Sequence, residues 1–138
     1  MNNQTYFDFV SKHREKILEV ERYVWAHPES GFKEWNTSAY LAKIFEEAGA
    51  DYVNLADSSG YLLPSDVTDR IKVLVEGLNI PVGFHAHNNL GLAIANSIAA
   101  VEAGATYIDA TCRGLGAGAG NNLGNHIPMK LAKFEVYR

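Results

Sequence analysis

From Tyr6 to about Ala26, the apolar residues Tyr6, Val10, Ile17, Val20 and Val24 recur in steps of three, four and seven. That spacing sets them on one side of a helix. Thr5 stands where an N-cap belongs, with Asp8 in the first turn, where a carboxylate suits the helix dipole. Pro28 ends this helix, because the residue before a proline avoids the α region. A second helix starts at Asn36 or Thr37, carries Leu41, Ile44, Phe45 and Ala48 as its stripe, and stops at Gly49.

From Ala50 the pattern becomes strand, helix, strand, helix, strand. Tyr52–Asp57 reads as a strand. Pro64 opens a helix bearing Val67, Ile71, Leu74, Val75 and Leu78, Pro81–His87 is the next strand, Leu90–Ala103 a helix apolar nearly all round, and Tyr107–Cys112 a third strand. Strand starts lie roughly 25 to 30 residues apart, the size of βαβ units, which predicts a parallel sheet with right-handed crossovers. Glu47-Ala48-Gly49-Ala50-Asp51-Tyr52-Val53 and Glu102-Ala103-Gly104-Ala105-Thr106-Tyr107-Ile108 repeat one plan. In each, a glycine terminates a helix and feeds a strand.

The fold class expected is α/β: an open, parallel, three-stranded βαβαβ sheet with two N-terminal helices packed on it and helices on both faces. Three strands do not close a barrel, so exposed edges invite a homodimer. The 138 residues suit one domain, divided into a helical segment (1–49), a strand–helix segment (50–126) and a tail (127–138). In the tail, Met129–Tyr137 fits either a short helix with Leu131 and Phe134 inward or a strand at Phe134-Glu135-Val136-Tyr137.

Composition narrows the function classes. A net charge of −4 argues against a nucleic-acid or anionic-membrane surface. There is no long apolar run of membrane-spanning length, and the N-terminus lacks a secretion-signal layout. One cysteine, Cys112, excludes an internal disulfide framework and fits a reducing compartment, so a cytoplasmic protein is expected.

His85-Ala86-His87 is the sharpest chemical feature. Residues i and i+2 of a strand share a face, so two imidazoles project together at the carboxyl end of a parallel strand, where α/β sheets place their sites. They either share a divalent cation or are two polar groups at a strand end. Asp57-Ser58-Ser59-Gly60, at the same end of the sheet, is either an oxygen-rich rim or a plain βα turn. The glycine-rich Gly114–Gly120 either exposes backbone N–H groups to an anion or is a flexible or tightly turned loop, and Asn121 after it is a candidate amide ligand. Only 18 residues follow Gly120, too few for the rest of a dinucleotide-binding unit. Cys112 is expected to be structural and His13 a packed core histidine, whereas His27-Pro28-Glu29 reads as a helix-ending loop and His126 carries no signal.

ADYVNLADSSGYLLPSDV, VGFHAHNNLGLAIANSIAAVEAGA and GLGAGAGN, within residues 50 to about 124, resemble the 4-hydroxy-2-oxovalerate aldolases of the hydroxymethylglutaryl-CoA lyase superfamily. The resemblance implies a TIM barrel fragment, with His85, His87 and Asn121 as ligands of manganese or magnesium. It also implies Asp57 and Ser58 at the pocket of a 2-keto acid, and a metal that polarises the substrate carbonyl during carbon–carbon cleavage. Residues 6–49, with His27, Pro28, Glu29, Gly31, Phe32 and Glu34, resemble instead the N-terminal helices of di-zinc aminoacylase and carboxypeptidase-like amidohydrolases, whose zinc ligands have no counterpart here.

The two resemblances together imply a chimera joined within Glu47–Ala50. The aldolases take a third metal ligand, an aspartate, from a first barrel strand that helices replace here. The expectation is therefore a recombined or engineered scaffold without efficient catalysis that keeps a relict His-x-His metal motif. The alternative is a metal-dependent aldolase, completed by oligomerisation; an amidohydrolase fragment is a third reading.

Overall fold

The computed structural model describes residues 3–31, 33–121 and 133–137. Phe32, His126, Met129, Leu131 and the side chains of Cys112 and Phe134, which entered the sequence reading, lie outside what is described. The chain divides into two compact units, Met1–Leu41 and Ala42–Arg138, and the division falls inside the third helix.

The first unit holds α1 (Asn3–Lys12), α2 (Arg14–Ala26) and the start of α3 (Trp35–Glu47). One continuous helix was expected before Pro28, and two are found. The break is at His13, whose φ of −101° and ψ of 10° leave the helical region. Its Nδ1 bonds to the Phe9 carbonyl at 2.8 Å and its ring packs on Phe9 at 4.2 Å. His27 ends α2 in the same way, with Nδ1 2.8 Å from the Tyr23 carbonyl and its ring stacked on Tyr23. Each imidazole thus shares the carbonyl four residues back with its own backbone N–H, at 3.1 Å in both cases, and His13 marks a helix break rather than a core position. Thr5 lies within α1 rather than capping it. Of the expected stripe, Tyr6, Val10 and Ile17 are exposed while Val20 and Val24 are half-buried.

The start of α3 is capped from a distance. The Glu29 carboxylate accepts the backbone N–H of Thr37 at 2.7 Å and of Asn36 at 3.1 Å, along with the Asn36 amide at 3.0 Å. These are orphan donors of a first helical turn.

The second unit is a parallel sheet in the order β1 (Val53–Asp57), β2 (Val82–Ala86), β3 (Tyr107–Thr111), β4 (Lys133–Tyr137). The open parallel βαβαβ arrangement expected from the sequence is present, and β4 extends it by a fourth strand beside β3. Of the two readings of the tail, the strand is the one observed. Helices α4 (Pro64–Gly77) and α5 (Ala93–Glu102) make the crossovers. Pro64 occupies the first turn of α4, and Asp66 accepts the Leu63 N–H at 3.0 Å. Gly49 (φ 86°) and Gly104 (φ 109°) terminate α3 and α5 in the left-handed region. In both, the next residue bonds back five positions, Ala50 to Phe45 and Ala105 to Ala100, each at 2.9 Å. The sequence echo is therefore a repeated helix-stop geometry.

Val67 and Ile71 of α4, Ala93 and Ala100 of α5, and Val82, Phe84, Ala86 and Ile108 of the sheet form one buried core. Helices were expected on both sides of the sheet. Among the described residues of this unit, the apolar layer lies on one face only. The other face carries Tyr52, Asn54, Ala56, Gly83, His85, Tyr107, Asp109 and Thr111, as strand alternation requires. No helix among the described residues is long and apolar enough to cross a membrane.

Candidate functional site

The polar groups gather at the carboxyl ends of β1, β2 and β3. His85 is the register partner of Ala56 on β1 and of Asp109 on β3. Its imidazole stands beside that of His87, with ring centroids 5.1 Å apart and planes at 52°. The two histidines expected on one side of the strand therefore do project together. Both are half-buried.

Asn121 joins them through the backbone, forming an isolated antiparallel bridge with His87. Its side-chain Oδ1 is buried and has no hydrogen-bond partner among the described residues. An amide oxygen in that condition is a costly vacancy unless something accepts its lone pairs. A Cβ on Gly116 would collide with the Asn121 amide, so the glycine makes the room that the amide fills. This donor set, two imidazoles and a free buried amide oxygen, fits a divalent cation. Among the described residues, no three His, Cys, Asp or Glu side chains converge on one point.

Asp57 is used differently. It is buried, and its carboxylate accepts Tyr61 N–H at 3.0 Å through Oδ1 and Leu62 N–H at 3.2 Å through Oδ2. It closes the turn after β1. Ser58 is exposed at the rim, and the Ser59 hydroxyl is buried without a partner among the described residues.

Two residues that sequence reasoning passed over hold the rim together. Asn88 N–H donates to Gly120 O at 2.8 Å while its Oδ1 accepts the Ala93 N–H that opens α5. Asn89 donates to Ser59 O at 2.7 Å and accepts Ala119 N–H at 2.8 Å, tying the loop after β1 to the loop after β3. Two more, Asn54 and Asp109, lie on the polar face beneath the histidines. His85 Nδ1 is 3.1 Å from Asp109 Oδ2, and Asn54 Nδ2 donates to the same oxygen at 2.6 Å. The only signal for them in the sequence is their equivalent place in the repeated Ala-x-Tyr-x-x stretch.

Comparison with known proteins places this geometry in a family. The HMGL-like family matches residues 8–136. The chain belongs to the HMGL-like family. The 4-hydroxy-2-oxovalerate aldolase of Moorella thermoacetica is 65% identical over 80 residues, which cover 58% of this chain and 24% of the relative. The enzyme of that name from Geobacillus genomosp. 3 is 63% identical over 98 residues, 71% of this chain and 29% of the relative. The carboxyl transferase domain of Rhizobium etli pyruvate carboxylase, solved with pyruvate, superposes with a TM-score of 0.58 at 32% identity, over 64% of this chain and 15% of that one. The chain thus spans about a quarter of the length of the curated relatives it matches.

The HMGL-like match takes in Glu47–Ala50, where a junction between two ancestries was expected. The aldolase resemblance is supported. An amidohydrolase origin for residues 6–49, and a chain built as an inert scaffold, are not.

Proposed function

We propose that this chain carries the metal-holding strand of a divalent-metal-dependent aldolase acting on 4-hydroxy-2-oxo acids. The observation that carries the proposal is the pairing of His85 and His87 at the end of β2, with Asn121 bridged to His87 through the backbone and its buried Oδ1 without a partner among the described residues. These three residues would hold the ion. The chemistry that manganese or magnesium supplies when bound there is positive charge for the oxygens of a 2-oxo acid. The chain's own contribution is to orient the ligands. Gly116 makes room for Asn121, Asn88 and Asn89 pin the rim, and Asp57 holds the turn that carries Ser58.

Four parallel strands do not close a ring, and among the described residues β1 and β4 are the edges of the sheet. We assign those edges to pairing with further strands, a second copy of the chain being one source, which a mass measurement in solution detects.

Calorimetric titration with manganese chloride tests the reading. One ion bound per chain with micromolar affinity, tightened by pyruvate and lost in both His85→Ala and His87→Ala, supports it. A folded chain that binds no manganese, or binds it equally well without His85, overturns it in favour of an inert scaffold.

A further inference from the structure

Beneath the two histidines, the polar face of the sheet carries a chain of contacts through three strands. Asn54 of β1 donates to Asp109 of β3, passing over β2, and the same Asp109 oxygen lies 3.1 Å from His85 Nδ1. The crossing happens at Gly83, the register partner of both Asn54 and Tyr107. A Cβ at Gly83 would run into the Asn54 amide oxygen and come within 3.1 Å of Tyr107 Cβ. Gly83 is a notch through which a side chain from β1 reaches β3.

The chemistry of the contact is directional. A carboxylate has no proton to give, so the Nδ1 beside Asp109 must carry the hydrogen. The neutral ring then has its lone pair on Nε2, the nitrogen left for an ion or substrate. Asp109 is largely buried, with 13% of its side chain exposed against 29% for His85. Water therefore competes weakly for the bond, and Asn54 limits rotation of the carboxylate.

We infer that Asp109 is a positioning residue that sets the tautomer and ring orientation of His85, with Asn54 and Gly83 holding Asp109 in place. The inference rests on the proposed ligand role of His85, and it adds two residues and a glycine that make the ligand competent. An outer carboxylate of this kind orients the ring, and its loss typically weakens metal affinity by about 10- to 100-fold.

The test has two arms. The first needs no metal. Nitrogen-15 NMR of the histidine rings at a pH where they are neutral reports which nitrogen of His85 bears the proton. The intact chain should show Nδ1–H at His85, Asp109→Ala should lose that preference, and Asn54→Ala should weaken it, while the His87 signal stays as it was. The second arm is manganese titration, where Asp109→Ala should bind about 10- to 100-fold more weakly than the parent. An unchanged His85 tautomer in a folded Asp109→Ala chain overturns the inference. Should that variant fail to fold, Asn54→Ala decides, since Asn54 is exposed; no change at His85 there also counts against it. If the parent binds no manganese yet shows the Nδ1–H form that Asp109 controls, the positioning stands and the proposed metal role fails.

Discussion

Asn54 and Asp109 are bonded at 2.6 Å although 55 residues and one whole strand separate them. They hold equivalent places in the internal repeat, and so do Tyr52 and Tyr107, whose rings stack at 5.0 Å. Both pairs meet across β2 on the face opposite the apolar core.

The glycine between them should therefore resist substitution. Gly83→Val places a branched side chain against Asn54 and Tyr107, and overpacking of this kind costs about 1–3 kcal/mol. Urea unfolding of the variant should show a loss in that range. A neutral result would mean that the crossing has slack.

Asp57 is expected to matter more for folding than for recognition. Asp57→Ala strands the buried N–H of Leu62 and leaves that of Tyr61 without its acceptor. A buried group left unsatisfied costs about 1–3 kcal/mol. Asp57→Asn keeps an acceptor oxygen and should lose less. If both variants keep full stability while pyruvate ceases to tighten manganese binding, the carboxylate serves substrate rather than the turn.

Asn89 should act as a latch between loops. Asn89→Ala removes one donor and one acceptor that join Ser59 to Ala119. Amide exchange at Ala119 should quicken in the variant, with a stability change of about 1 kcal/mol. Unaltered exchange would show that the loops hold without it.

Glu29 gives the N-terminal unit a defined acid response. The backbone and side chain of Thr37, then the backbone of Asn36, hold its pKa at about 2, against an ordinary 4.5. A folded-state pKa lowered in this way contributes stability that is fully present above about 4.5 and is lost as pH falls toward 2. Helical circular dichroism of the chain should weaken across that window by more than it does in Glu29→Gln, which lacks the titrating group. Identical acid profiles for the two chains would refute the capping role.

The terminating glycines at 49 and 104, the apolar positions of α4 and the common face of His85 and His87 were readable from the chain. Each depends on near neighbours: a left-handed residue after a helix, a 3.6-residue period, a strand alternation of two. The N-terminal helices were harder. The break at His13 lies in its own backbone angles, with its ring folded back onto Phe9, and neither leaves a mark in the spacing of apolar residues.

Local pattern alone determined that this protein is an α/β chain of parallel strands with two imidazoles at a strand end, because alternation and helix stops act over a few residues. Folding decided which carboxylate those imidazoles meet. Asp57 is the carboxylate that the resemblance singles out, yet its oxygens accept from the turn, while Asp109 arrives beside His85 through the register of β2 against β3. Register is a property of paired strands, and it is settled only when the buried face of the whole sheet finds its partners.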